Sequence, residues 1–266
     1  MPGIRPPAVA GLFYPADPEE LESYVRASLA DAAQDVPSLA NVKAVVAPHA
    51  GYVYSGPVAA RAFAALAQAA RDRDIHRIVL MGPAHTVPLI GIAAPGWEGF
   101  ATPLGVVPVD VQAREAVTRL PFVRIDNVPH AREHALEVEL PFLQVLFPEV
   151  PVLPLVVGET APEEVAALMD MLDDGHTLFV ISSDLSHYEP YDAARRHDAA
   201  TAQRIAALDH VHLGPEDACG VRPLSGLLHE ARRRGWRPHL LDLRNSGDTA
   251  GDPSRVVGYG AWAFAA

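Results

Sequence analysis

The chain of 266 residues contains one cysteine, Cys219. A single cysteine excludes an internal disulfide and any zinc site built from several cysteines. The longest basic run is Arg232, Arg233 and Arg234, at the end of a predicted helix, where cations favour the helix dipole. With a net charge of -12, the chain is expected to repel nucleic-acid backbones. Nucleic acid is therefore not an expected partner.

Long apolar runs are also missing. No stretch reaches the roughly 18 to 20 apolar residues of a membrane span, and the N-terminal residues lack the pattern of a signal peptide. We therefore expect a cytoplasmic protein without membrane contact. Gly/Ser linkers and repeats are absent, and the 25 prolines are spread along the chain, which favours one domain over residues 1–266.

Short apolar runs alternate with amphipathic segments along the chain. Strands are predicted at 42–46, 77–81, 89–94, 106–109, 152–157, 177–182, 239–243 and 256–265. Helices are predicted at 17–33, 57–70, 111–120, 162–172, 192–208 and 223–234. Strands that are apolar on both faces, alternating with helices, predict an α/β fold. Its sheet should be layered, mixed or largely parallel, and covered by helices on both faces.

Polar residues follow four of the predicted strands. His49, His85 and His187 each come a few residues after a different strand, and Asp248 follows the strand at 239–243. In open α/β sheets, ligands bind outside the carboxyl ends of the strands. The sequence therefore predicts one polar site at this edge.

Most of the twelve histidines have a simpler interpretation as surface or structural residues. His134 lies between acidic residues, and two readings stay open: a capped helix entry, or a histidine that contacts substrate. The segment reads EHxxE and lacks the second histidine of a zinc-protease motif. Cys219 has no base beside it in sequence and is interpreted as a small buried residue. The G-x-S-x-G elbow of serine hydrolases does not occur.

Six motifs in order resemble the Memo family over essentially the whole chain. They are GLFYP (11–15), APHAGYVYSG (47–56), MGPAH (81–85), EHALEVELPFL (133–143), SSDLSHY (182–188) and NSGDTAGD (245–252). The resemblance implies a fold like that of the class III non-haem iron extradiol dioxygenases. It also implies a functional link to AMMECR-type and radical-SAM proteins.

The same resemblance implies roles for four histidines. His49 and His85 match the two metal-ligand histidines, His187 matches the acid/base histidine, and His134 matches a further histidine of the pocket. Asp184 and Ser186 lie close enough in sequence to hold the tautomer of His187.

The resemblance also implies a third metal ligand from the 245–252 loop, with Asp248 as the first choice and Thr249 as the competitor. Gly247 would let the shorter Asp248 side chain approach the metal. Two histidines and a carboxylate suit non-haem Fe(II) and also Zn²⁺. We therefore expect one divalent transition metal, Fe(II) first, with Zn²⁺ or copper as alternatives.

Two functions follow from these expectations. The first is a metal-dependent oxidoreductase of the dioxygenase type, with His187 and His134 as catalytic residues and a small molecule as substrate. The alternative is a non-catalytic module that binds a metal or a peptide in a vestigial dioxygenase pocket. A turnover assay on metal-loaded protein separates them.

Overall fold

Strands and helices alternate along most of the chain in the computed structural model, which describes residues 3–266. The strands are β1 Ile4–Arg5, β2 Val42–Ala47, β3 Arg77–Pro83, β4 Ile92–Ala94, β5 Gly99–Thr102, β6 Gly105–Pro108, β7 Val123–Ile125, β8 Val152–Val157, β9 Thr177–Ser182, β10 His187–Glu189, β11 Arg237–Asn245 and β12 Val256–Ala265. The helices are α1 Pro18–Asp35, α2 Tyr52–Asp72, α3 Val111–Val117, α4 Val128–Ala131, α5 Leu140–Leu146, α6 Pro162–Leu172, α7 Tyr191–Ala206 and α8 Val221–Arg234. Single 3-10 turns lie at Glu137–Glu139 and Ser246–Asp248.

The main sheet is mixed, with a parallel centre. Its strand order is β10-β12-β2-β9-β3-β8-β4-β7, and β11 pairs with β12. Strands β2, β9, β3 and β8 run parallel, whereas β12 and β4 are antiparallel to β2 and β8. A smaller sheet has the order β1-β5-β6. The predicted α/β class is confirmed.

Helices cover both faces of the main sheet because its central strands are apolar on both. In β2, Val45 and Ala47 belong to a core that contains residues of α1, α2 and α5. The alternate residues Ala44 and Val46 belong to a second core, with residues of α3, α6, α7 and α8. Successive side chains of a strand point to opposite faces of the sheet, so alternate residues of β2 pack into two separate cores.

Helix α2 starts at Tyr52, five residues before the predicted start at Pro57. Proline inside a helix removes one backbone hydrogen bond, so the sequence favoured a start at Pro57. The earlier start is held by contacts from elsewhere in the chain. The Tyr52 amide donates to the Phe13 carbonyl at 2.7 Å, and the Tyr24 hydroxyl donates to the Tyr52 carbonyl at 2.8 Å.

Within residues 3–266, no helix combines the length and the apolar character needed to cross a bilayer.

Candidate metal centre

Three polar residues leave the sheet at matching positions. His49, His85 and Asp184 each lie two residues beyond the end of their strand, β2, β3 and β9 respectively. Strand β9 lies between β2 and β3 in the sheet, so parallel pairing brings the three loops to one edge. The His49 amide donates to Asp184 Oδ1 at 2.8 Å, which ties two of these loops together.

His134 reaches this edge from the segment before α5. Gly82 in β3 lets that segment pack closely, because a Cβ there would lie 2.9 Å from Leu136 Cδ2. The ring of His134 stacks on His85, with centroids 4.9 Å apart and an interplanar angle of 14°. His134 therefore lies beside His85 at this edge of the sheet.

His49, His85 and His134, called the trihistidine group below, offer three nitrogen ligands. The ligand atoms all lie within 4.8 Å of one another. A tetrahedral ion with metal–nitrogen distances of about 2.0 to 2.1 Å needs nitrogens roughly 3.4 Å apart. The three nitrogens are thus grouped closely enough to converge on one ion, and imidazole is a ligand that transition metals accept.

Glu133 fixes the tautomer of His85. Its Oε1 lies 2.8 Å from His85 Nδ1, and its Oε2 accepts the His85 amide at 2.7 Å. Burial opposes ionisation of Glu133, but the hydrogen bonds from His85 and the Ala135 amide outweigh it, so its pKa is lowered. An ionised carboxylate accepts a hydrogen bond from Nδ1–H, so the proton stays on Nδ1 and the lone pair of His85 lies on Nε2. This is the usual carboxylate partner of a metal-bound histidine.

Ser182 fixes the tautomer of His49. Its single hydroxyl proton points to the Ala135 carbonyl at 2.6 Å, because a carbonyl can only accept. His49 Nδ1, 2.7 Å from the same oxygen, must then donate to it, and Nε2 keeps its lone pair. The same hydroxyl lies 3.0 Å from Glu139 Oε1, and burial raises the pKa of this carboxyl well above its usual range.

Burial disfavours protonation of two imidazoles of the group, those of His49 and His134. Burial, reinforced by the nearby imidazoles, lowers the pKa of His49 well below 6.5. Burial also lowers the pKa of His134, against the opposing charge of Glu133. Neutral imidazole is the form that binds a metal.

Cys219 lies beside this group, with Sγ 3.3 Å from His49 Nε2. The Asp184 amide donates to the same sulfur at 3.3 Å. Burial and the charge of Asp184 raise the pKa of Cys219, so it is a thiol rather than a thiolate. No local pattern could reveal this neighbour, because 170 residues separate Cys219 from His49.

A cavity of about 610 Å³ opens over the trihistidine group. Its lining includes Asp184, His187, Ser246 and the aromatic residues Phe13, Tyr54 and Tyr259. Burial raises the pKa of Asp184 to about 7, although the His49 amide opposes the shift.

His187 lies at this cavity, as its position after β9 predicted. Its tautomer, however, is held by the Leu185 carbonyl, 2.8 Å from Nδ1, and not by Asp184 or Ser186. Asp184 instead accepts from the His49 amide, and the Ser186 amide donates to Asp198. Because the carbonyl can only accept, Nδ1 carries the proton and Nε2 is free to accept one.

Asp248, expected as the third ligand, does not join the trihistidine group in the described part of the chain. Its carboxylate accepts from the Tyr191 hydroxyl and from the Asn245 amide, which caps the 3-10 turn. Thr249 donates its hydroxyl to the Ser246 carbonyl at 3.1 Å. Local capping thus takes up both side chains, and Ser246 is the residue of this turn that lines the cavity.

Comparisons with known proteins agree with the six motifs. A family model described as Memo-like protein matches residues 5–263. A MEMO1 family protein of Methanopyrus kandleri is 38% identical over 283 residues, covering 98% of each chain. Another, of Aquifex aeolicus, is 36% identical over 271 residues, covering 96% of this chain and 97% of the relative.

A solved structure shares the fold. It is an uncharacterized protein of Escherichia coli K12, with a TM-score of 0.51 and 13% sequence identity, and the match covers 84% of this chain and 99% of that one. At this identity the likeness concerns the fold alone. The family match over nearly the whole chain decides the assignment: the chain belongs to the Memo family.

Proposed function

We propose that this chain binds one divalent transition metal ion through His49, His85 and His134 and holds a small molecule in the cavity above. The observation that carries the proposal is the convergence of three imidazoles from separate loops within 4.8 Å. The hydrogen bonds of Glu133 and Ser182 support it, because they take up the Nδ1–H groups and leave a lone pair on Nε2 of both His85 and His49. The neighbour of His49 Nε2 is the Cys219 thiol at 3.3 Å, which is only a weak hydrogen-bond donor.

The donor set bears on the identity of the metal. Fe(II) was expected from two histidines and a carboxylate, whereas three imidazoles form the ligand set of a catalytic zinc site and also suit copper. We therefore place Zn²⁺ and copper ahead of Fe(II). When bound, such an ion supplies Lewis-acid polarisation to an oxygen atom of the ligand.

The residues around the cavity support an enzymatic role. His187 lines the cavity and has an unprotonated Nε2, because its Nδ1–H is held by the Leu185 carbonyl. Asp184, with a pKa of about 7, exchanges a proton near neutral pH. His187 is therefore proposed as the acid/base group of a reaction on a small molecule. Oxidoreductase chemistry would need a redox-active ion, so the metal decides between this and non-redox chemistry. The functional link to AMMECR-type and radical-SAM proteins stays a prediction.

Metal analysis of anaerobically purified protein tests the site. Wild type should carry one metal equivalent more than His85→Ala. His76→Ala is the matched control, because His76 is an exposed histidine hydrogen-bonded to Asp74. Wild-type metal content in folded His85→Ala would overturn the assignment.

The His187→Ala variant separates an enzyme from a binding module. Its metal content should equal that of wild type, because His187 is not in the ligand group. For an enzyme, turnover on an active substrate should fall by about 10² to 10⁴, the usual scale for losing a general acid/base. A change in ligand affinity alone would favour the non-catalytic module, and loss of the metal would make His187 a ligand.

A further inference from the structure

A second group of metal-type donors lies outside the cavity of the trihistidine group. Glu163 in the first turn of α6, His229 on α8 and His210 in the loop after α7 place their ligand atoms within 4.8 Å of one another. We call these three residues the outer cluster. Its imidazole rings have centroids 5.2 Å apart and meet edge to face at 68°.

The three donor side chains of the outer cluster lie close together but form no hydrogen bonds with one another. His229 Nδ1 and Glu163 Oε1 are 3.8 Å apart, which is too far for a hydrogen bond. His210 Nδ1 is buried and has no hydrogen-bond partner among the described residues. A buried imidazole nitrogen without a partner is costly, and a metal ion bound at Nδ1 would provide one.

The helices that carry these donor residues are held together by contacts that do not involve the donor side chains. Helices α6 and α8 touch closely, since a Cβ on Gly226 would lie 2.3 Å from Val165 Cβ. Gly226 lies three residues before His229, and Val165 two residues after Glu163. The end of α7 is tied to α8 by Arg232, whose guanidinium donates to the Ala207 carbonyl at 3.4 Å.

We propose that the outer cluster is a second site for a divalent transition metal, with Zn²⁺ as the preferred ion. Two neutral imidazoles and one carboxylate form a known three-ligand set for zinc, and the negative charge of Glu163 favours a dication. The Glu163 side chain is 65% exposed, so the fourth position is open to water or to a donor from another molecule. Bound metal would link α6, α8 and the loop after α7. This site does not depend on the function proposed for the trihistidine group.

Zinc titration of the metal-free full-length chain against a chromophoric chelator tests the proposal. Wild type should bind one more Zn²⁺ than His229→Gln. If the trihistidine group also binds zinc, wild type should bind two Zn²⁺ ions and His229→Gln one. If it does not, wild type should bind one and His229→Gln none. His212→Gln is the matched control, because His212 lies on the same loop, is 71% exposed and bonds to Asp209 instead.

A second variant guards against misfolding. Glu163→Gln changes an exposed side chain and should weaken the outer site by roughly tenfold or more while leaving the far-UV spectrum unchanged. Equal zinc stoichiometry in wild type, His229→Gln and Glu163→Gln would overturn the proposal. So would loss of the additional Zn²⁺ to a chelator of micromolar affinity, since the cluster would then be an adventitious surface binder only.

Discussion

The trihistidine group and the outer cluster both bring three donors within 4.8 Å, yet their surroundings differ. At the trihistidine group, Glu133 and Ser182 accept hydrogen bonds from the Nδ1–H groups of His85 and His49 and hold the rings in place. The outer cluster lies at the surface and has an unpartnered His210 nitrogen. Metal affinity depends on hydrogen bonds to the ligand side chains as well as on the ligands themselves. The trihistidine group should therefore bind metal more tightly than the outer cluster.

The largest expected effect concerns the third ligand of the trihistidine group. His134→Ala should weaken metal binding there by roughly 100-fold, because a ligand is removed, whereas Asp248→Ala should change it by less than about threefold. Asp248 already accepts two hydrogen bonds in its own turn. Competition titrations of the two variants give the ranking, and the reverse order would restore Asp248 as the ligand.

The next largest effect concerns the hydrogen bond that a residue outside the ligand set makes to a ligand histidine. Glu133→Gln should lower metal affinity at the trihistidine group by about 10- to 100-fold, because an amide is a weaker acceptor for the His85 Nδ1 proton. Asp209→Asn is the matched change on the loop of the outer cluster, where the carboxylate bonds to His212 and to no ligand. It should leave both affinities unchanged. Equal effects of the two variants would remove the role given to Glu133.

Crowding at α6 and α8 should affect one cluster only. Gly226→Ala places a methyl group against Val165, and overpacking of this kind costs about 1 to 3 kcal/mol of unfolding free energy. The shift of α6 against α8 should weaken zinc binding at the outer cluster and spare the trihistidine group. Urea unfolding and zinc titration measure both, and unchanged outer-site affinity in a destabilised variant would show that the helix spacing does not set it.

The smallest effect concerns a histidine paired with carboxylates on both nitrogens. Burial lowers the pKa of His197, but the hydrogen bonds to Glu189 and Asp217 outweigh it and the pKa is raised. The stability from this cation is present below pH 6.5 and is lost as pH rises through the raised pKa. Urea midpoints at pH 6 and pH 8 measure this loss. The decrease in stability from pH 6 to pH 8 should be larger for wild type than for the His197→Gln variant. An equal loss in both proteins would mean that His197 carries no such cation.

Sequence patterns located the strands that position the site because strand periodicity and strand ends are local properties. The bounds predicted for β8, β9 and β12 match the structure, as does the helix at 162–172. His49 and His85 were placed at the carboxyl edge for the same reason. The early start of α2 was missed because Phe13 and Tyr24, far away in sequence, hold its first turn.

Sequence alone thus determined the α/β class, the family and two of the three histidines that converge, since each follows from one strand and its loop. Only the tertiary structure decided the third member. The pairing of Gly82 with Leu136 brings His134 against His85, and capping of its own turn occupies Asp248. Gly82 and Leu136 are 54 residues apart, and the Tyr191 hydroxyl that also bonds Asp248 is 57 residues away from it. A pattern read along the chain contains periodicity and strand ends, but it does not contain the distance between two loops.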